Sequence, residues 1–238
     1  MPEPGTGRRE ILSFVRRGGR MSDGQERAWN ELSPFYLFDV PRAEGVTSVD
    51  PDARLIPSEE YGREAPLVVE IGTGQGHCIV NAATTRPDTD FLGIEVYDSG
   101  LARTMLDADR AGAKNLRLIE ANAPEVLKTL LPEASVDEVW IFFPDPWHKA
   151  RHHKRRLVSP GFGAVVGRVL RPGGVLRLAT DWQDYADQMV EVLDAEPEVE
   201  RAFDGDWAPR FDGRIMTAFE RKGLDKGRDI RDLTYKRV

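Results

Sequence analysis

Apolar and polar positions alternate irregularly up to about residue 65, where prolines recur at 2, 4, 34, 41, 51 and 57. This stretch predicts an N-terminal extension over residues 1–64, partly flexible, with Asp23 to Leu32 as its best helix. From Ala65 onward the pattern turns regular. Short apolar runs at Pro66–Gly72, Phe91–Glu95, Leu116–Ala121, Val136–Phe143 and Val175–Thr180 read as strands. Between them, His77–Thr84, Ser99–Ala111, Pro124–Leu131, Gly161–Leu170 and Asp184–Glu196 read as helices, and Arg171-Pro-Gly-Gly174 as a turn. Strands alternating with helices predict an α/β fold over residues 65–238, a doubly wound and mostly parallel sheet with Val136–Phe143 at its centre. The last segments break the alternation. Met216–Glu220 and Asp229–Lys236 read as two strands around the Gly223–Gly227 loop, a terminal antiparallel hairpin at the sheet edge.

Two loops of this scheme carry chemistry. Glu70-Ile-Gly72-Thr-Gly74-Gln-Gly76 lies where the first strand turns into the first helix. Glycines there let a ligand approach the backbone. Glu95 ends the second strand, 21 residues after Gly74, where a carboxylate accepts hydrogen bonds from ribose hydroxyls. A dinucleotide loop reads G-x-G-x-x-G. Here the third glycine comes one residue early and His77 takes its place. Glu70 would also repel a pyrophosphate, whereas it suits the cationic amino-acid end of S-adenosylmethionine. Asn122, at the end of the third strand, suits a hydrogen bond to adenine or a helix cap before Pro124.

The second loop follows the central strand. Phe143-Pro-Asp-Pro-Trp147 holds Asp145 between two prolines, with Phe143 or Trp147 available to stack on a base. Residues 149–156 then hold five Lys/Arg (Lys149, Arg151, Lys154, Arg155 and Arg156) and no acid. A charge run is usually a solvated face, but beside a nucleoside pocket it is placed to grip polynucleotide phosphates. Asp181, after the fifth strand, either lines the same cleft or caps the next helix. His152 and His153 have no partner with metal-site spacing, so no metal is expected.

Composition narrows the class. Hydrophobic residues make up 40% and charged residues 31% of the 238, which suits a large globular core and not a disordered chain. No run is apolar enough to span a bilayer, and the N-terminus lacks the apolar stretch of a secretory signal. The single cysteine, Cys78, fits a reducing compartment, so a cytoplasmic protein with no membrane partner is expected. The net charge of −7 argues against a non-specific nucleic-acid coat. It is, however, an average: residues 149–156 sum to +5, residues 210–238 to 9 − 5 = +4, and residues 182–206 to 1 − 9 = −8. One basic face set against acidic ones favours a single docking orientation for an anionic partner.

From about Gly19 to the C-terminus the chain resembles the bacterial tRNA (guanine-N7-)-methyltransferase family. The resemblance rests on Val69-Glu-Ile-Gly-Thr-Gly-Gln-Gly76, Phe142-Phe-Pro-Asp-Pro-Trp147, His152-His-Lys-Arg-Arg-Leu157, Leu170-Arg-Pro-Gly-Gly174, Thr180-Asp-Trp182, Thr217-Ala-Phe-Glu220 and Asp232-Leu-Thr-Tyr235. It implies a seven-stranded S-adenosylmethionine-dependent methyltransferase fold, and methylation of guanine N7 at position 46 in the variable loop of tRNA. It implies cofactor contacts at Glu70, Gly72, Gly74, Glu95, Asn122 and Asp145, with Asp145 also catalytic. It implies substrate contacts at Lys149, Asp181, Thr217, Phe219 and Glu220; the basic run adds tRNA backbone contacts at Arg151, Lys154, Arg155 and Arg156, and a monomer or homodimer is expected. His148, Ala150 and Asn122 depart from the family's usual proline, lysine and aspartate.

Overall fold

A computed structural model describes residues 21–238, so the first twenty residues of the N-terminal extension lie outside the described residues. The order is α1 (Asp23–Tyr36), α2 (Pro57–Tyr61), β1 (Leu67–Ile71), α3 (His77–Thr85), β2 (Asp90–Glu95), α4 (Asp98–Ala111), β3 (Leu116–Glu120) and α5 (Ala123–Glu125), which runs into a π-helical turn at Val126–Leu130. Next come β4 (Val136–Phe142), a 3-10 helix at Ala150–Arg155, α6 (Phe162–Val169), β5 (Leu170–Thr180), α7 (Gln183–Asp194), β6 (Val199–Arg201), α8 (Ala218–Asp225) and β7 (Arg231–Arg237). The strands form one sheet in the order β3-β2-β1-β4-β5-β7-β6. The first five strands in chain order pair in parallel, and β7 runs antiparallel between β5 and β6.

Strand periodicity sends alternate side chains of β1 to opposite faces. Val68 packs with α1, α3 and α4 through Tyr36, Ile79, Leu101 and Met105. Leu67, Val69 and Ile71 pack the other way with Val126, Val166, Met189 and Leu193. Every residue of β1 and β2 is buried, as strands covered on both faces require. Residues ahead of β1 join this core: Val40, Val49, Ala53 and Leu55 are buried within it, and Leu37 bridges to Leu118 on β3. No helix among the described residues is long and apolar enough to cross a membrane.

Two expectations about local structure are corrected. Met216–Glu220 is not a strand. Thr217 caps α8, its hydroxyl accepting the Glu220 N–H at 3.1 Å, and the antiparallel partner of β7 at the edge is β6. Five alternating residues do not separate strand from helix, whereas Thr-x-x-Glu is a helix-start signature. Arg171–Gly174 does not end the secondary structure either. It bulges inside β5, where Val136 pairs with Leu170 and the next register is Glu138 with Val175.

Candidate active site at the carboxyl edge of the sheet

The carboxyl ends of β1, β2, β3 and β4 open onto one cavity of about 600 Å³, within the roughly 300–1,000 Å³ of ordinary ligand sites. Glu70, Gly72, Gly74, Glu95, Asn122, Asp145, Thr217 and Phe219 all line it. It lies where the strand order reverses, between β1 and β4, the usual ligand crevice of an open α/β sheet.

The glycine loop is built for close approach. Gly72, Gly74 and Gly76 have φ of 74°, 57° and 76°, a region that L side chains rarely adopt. A Cβ at Gly72 or Gly74 would meet nothing within 4 Å, so the loop backbone is bare on the side of the cavity. Glu95 pins the loop: one carboxylate oxygen accepts the Gly74 N–H at 2.7 Å, the other the N–H groups of Val96 (2.6 Å) and Tyr97 (3.2 Å). Gly100, in the first turn of α4, was not singled out by the sequence. A Cβ there would lie 2.3 Å from the Gly74 carbonyl oxygen, so only glycine lets the loop settle on α4.

Three buried polar atoms of the cavity residues have no hydrogen-bond partner among the described residues: Glu70 Oε2, Thr73 Oγ1 and Asn122 Oδ1. Such atoms call for a ligand, a water or an ion as partner; the others of this kind lie outside the cavity, on Asp137, Arg168, Arg214 and Arg231. Burial, reinforced by the nearby Glu95 charge, pushes the Glu70 carboxyl up to about 8. Burial also raises Glu95, against the pull of its three backbone donors. Asn122 is no side-chain cap; its amide donates to Glu125 Oε1 at 2.9 Å and leaves the carbonyl oxygen for the cavity.

Asp145 projects from a strained turn. Phe143 and Trp147, on either side of Pro144-Asp-Pro146, have φ of 54° and 48°, an uncommon region for bulky residues. Phe143 faces the cavity, but Trp147 does not line it. The Trp147 ring instead meets the Arg155 guanidinium at 5.0 Å and the His152 ring edge-on at 5.9 Å. The opposite wall is the start of α8. There Phe219 is 64% exposed at the cavity, while Glu220 is turned inward. Glu220 pairs with Arg214 (2.6 Å) and Arg210 (3.1 Å), and Arg214 pairs with Asp232 of β7 at 2.8 Å. Arg214 is fully buried, its guanidinium 5.3 Å from the centre of the Phe143 ring. This ion network, which the sequence did not suggest, joins the α8 wall to the end of β4.

Comparison with known proteins fixes the family. One described as "Putative methyltransferase" matches residues 64–233. The "tRNA (guanine-N(7)-)-methyltransferase" of Cutibacterium acnes is 50% identical over 97% of this chain and 84% of its own length. That of Paenarthrobacter aurescens is 43% identical over 95% and 91%. The chain belongs to the tRNA (guanine-N7)-methyltransferase family. Its fold is that of S-adenosylmethionine-dependent methyltransferases: the 16S rRNA methyltransferase KamB superposes with a TM-score of 0.53 at 18% identity, covering 96% of this chain and 98% of KamB. TrmN from Thermus thermophilus gives 0.51 at 17% identity, over 76% of this chain and 47% of TrmN.

For this tRNA (guanine-N7)-methyltransferase family member, several expected contacts lie off the cavity. Asp181 neither lines it nor caps α7. It pairs with Arg228 at 2.6 Å and packs against Gly223 of α8. Arg156, expected to face tRNA phosphates, is buried with a 1% exposed side chain. It donates to the Pro146 carbonyl (2.8 Å), Gln188 (2.8 Å) and Asp184 (2.5 Å), bracing the Asp145 turn on α7. Lys149, Arg151 and Lys154 are exposed around the 3-10 helix, outside the cavity lining. Of the departures from the family pattern, His148 packs against Trp182, with ring centres 4.1 Å apart and planes tilted by 48°.

Proposed function

We propose that this chain transfers a methyl group from S-adenosylmethionine to N7 of a guanine in cytoplasmic tRNA, at position 46 of the variable loop. One observation carries the reading. A single cavity has orphaned buried oxygens on its sheet side and an aspartate held by two prolines, with an exposed aromatic ring, on the other.

The residues present fit the cofactor. Glu70 offers a carboxylate oxygen to its ammonium group, Glu95 a carboxylate to its ribose hydroxyls, and Asn122 a carbonyl oxygen to the adenine amine. Gly72 and Gly74 admit it to the backbone. When bound, S-adenosylmethionine supplies an electrophilic methyl group on a sulfonium.

Guanine N7 has an in-plane lone pair and no proton, so no general base is needed. The protein's work is positioning and electrostatics. Asp145 accepts hydrogen bonds from the N1–H and N2–H edge of guanine and offsets the positive charge that grows on the purine. Its rigid turn sets its position before substrate arrives. Phe219 stacks on the base, and the Thr217 hydroxyl, whose oxygen is fixed by the Glu220 N–H, keeps a proton to donate. Glu220 acts from behind by holding that wall. Lys149, Arg151, Lys154 and Arg155 take up tRNA phosphates, and the target base turns out of its stack to reach the cavity.

The test is transfer of a radiolabelled methyl from S-adenosylmethionine to unmodified tRNA, with the product base mapped. Label at N7 of guanine 46 is expected, and Asp145→Ala should abolish it, at saturating S-adenosylmethionine, while thermal unfolding stays near that of the parent. No label in tRNA, or near-normal turnover by the variant, refutes the reading.

A further inference from the structure

A second depression of about 390 Å³ adjoins the main cavity and shares His77, Ala218 and Lys222 with it. Its remaining walls are Ile215, Met216, Arg221 and Asp225. The cations here differ from the arginines on either side of them. Arg210 and Arg214 are neutralised by Glu220 and Asp232, and Arg228 by Asp181. Arg221 and Lys222 are exposed and make no ion pair among the described residues. They stand beside an apolar floor of Ile215 and Met216, the latter 46% exposed.

An apolar floor next to unneutralised cations, continuous with a base-sized cavity, matches one unit of a polynucleotide. The sugar and base cover the floor, and the phosphate meets the cations. We propose that this depression binds the nucleotide adjoining the target guanosine, with its phosphodiester held by Arg221 and Lys222. The inference rests on the tRNA-methylating reading above and extends it to a second grip, on α8 and separate from residues 149–156. Asp225, one turn further along the same helix, leaves the depression with one net positive charge, enough for a single phosphate. A strand entering here is held on both sides of the extruded base, which lowers the cost of keeping that base unstacked.

The experiment is Arg221→Glu in the full chain, compared with the parent. Arg221 is exposed and makes no ion pair among the described residues, so thermal unfolding and S-adenosylmethionine affinity by calorimetry should be unchanged. The KM for tRNA should rise by roughly three- to tenfold with kcat little altered, and the slope of log affinity against log salt should flatten by about 1, as for one lost phosphate contact. Parent activity on tRNA with an unchanged KM and salt slope in the variant overturns the subsite alone. A fall in kcat without a change in KM also overturns it. A parent chain that methylates no tRNA overturns the functional reading and the subsite with it.

Discussion

Replacing Glu70 by glutamine keeps the shape of the side chain and removes its proton equilibrium. In the folded protein this carboxyl titrates near 8, against a reference of 4.5, because it is buried and faces Glu95. Between those values the folded chain holds a proton that the unfolded chain has released. Stability is therefore greatest below about pH 4.5 and falls as pH rises, until the folded group ionises near 8. At 1.36 kcal/mol per pH unit, the span corresponds to about 3–5 kcal/mol. Glu95 and Asp232 are also raised by burial and tilt the parent's profile the same way, so the difference between variant and parent isolates Glu70. The assay is urea unfolding from pH 5 to 9, extrapolated to water. The glutamine variant should gain about 3–5 kcal/mol on the parent between pH 5 and 9. A second readout follows from the proposed ammonium contact. At pH 7 the parent should release close to one proton on binding S-adenosylmethionine, seen by calorimetry in buffers of different ionisation heat, and the variant should release none from this position. Parallel stability profiles for the two proteins would refute the assigned burial and charge of Glu70. Matching proton release would refute its role toward the ammonium.

Two further substitutions probe the frame around the cavity. Gly100→Ala places a methyl 2.3 Å from the Gly74 carbonyl, a backbone atom that cannot swing aside. It should cost about 1–3 kcal/mol of stability and weaken S-adenosylmethionine binding at least tenfold by calorimetry. Arg214→Met leaves Asp232 as a buried carboxylate without its arginine and Glu220 with Arg210 alone, and urea unfolding at pH 7 should show a loss of about 3–5 kcal/mol, much of it regained in the Arg214→Met, Asp232→Asn double variant. An additive loss in the double variant would show that the three groups do not act as one network.

The frame was legible because local pattern and global fold agree. A strand buried on both faces reads as an unbroken apolar run, and a glycine loop reads by its spacing, so β1, Gly72, Gly74 and Glu95 were found from residue order alone. Burial of charge was not legible. Arg156 looks like its neighbours Lys154 and Arg155, and only folding brings Asp184 and Gln188, 28 and 32 residues away, to its guanidinium. Glu220 is likewise fixed by Arg210 and Arg214, so a residue expected to touch substrate is part of the wall behind it. Gly100 escaped notice because its reason is a contact with Gly74, and nothing local marks it. The start of α8 did carry a local signal, Thr217-x-x-Glu220, but a five-residue alternation competed with it.

The left-handed backbone at Phe143 and Trp147 has a consequence for how this chain tolerates change. Each such residue costs on the order of 1–3 kcal/mol in the fold, whether or not substrate is present. The backbone around Asp145 is thereby ordered during folding, and the encounter with RNA loses less entropy in fixing it. Glycine at either position would relieve the tension and, by the same act, let the loop wander. Selection for heat tolerance alone would thus drift toward a sturdier, slower protein. Selection for turnover must keep two residues that the fold, left to itself, would discard.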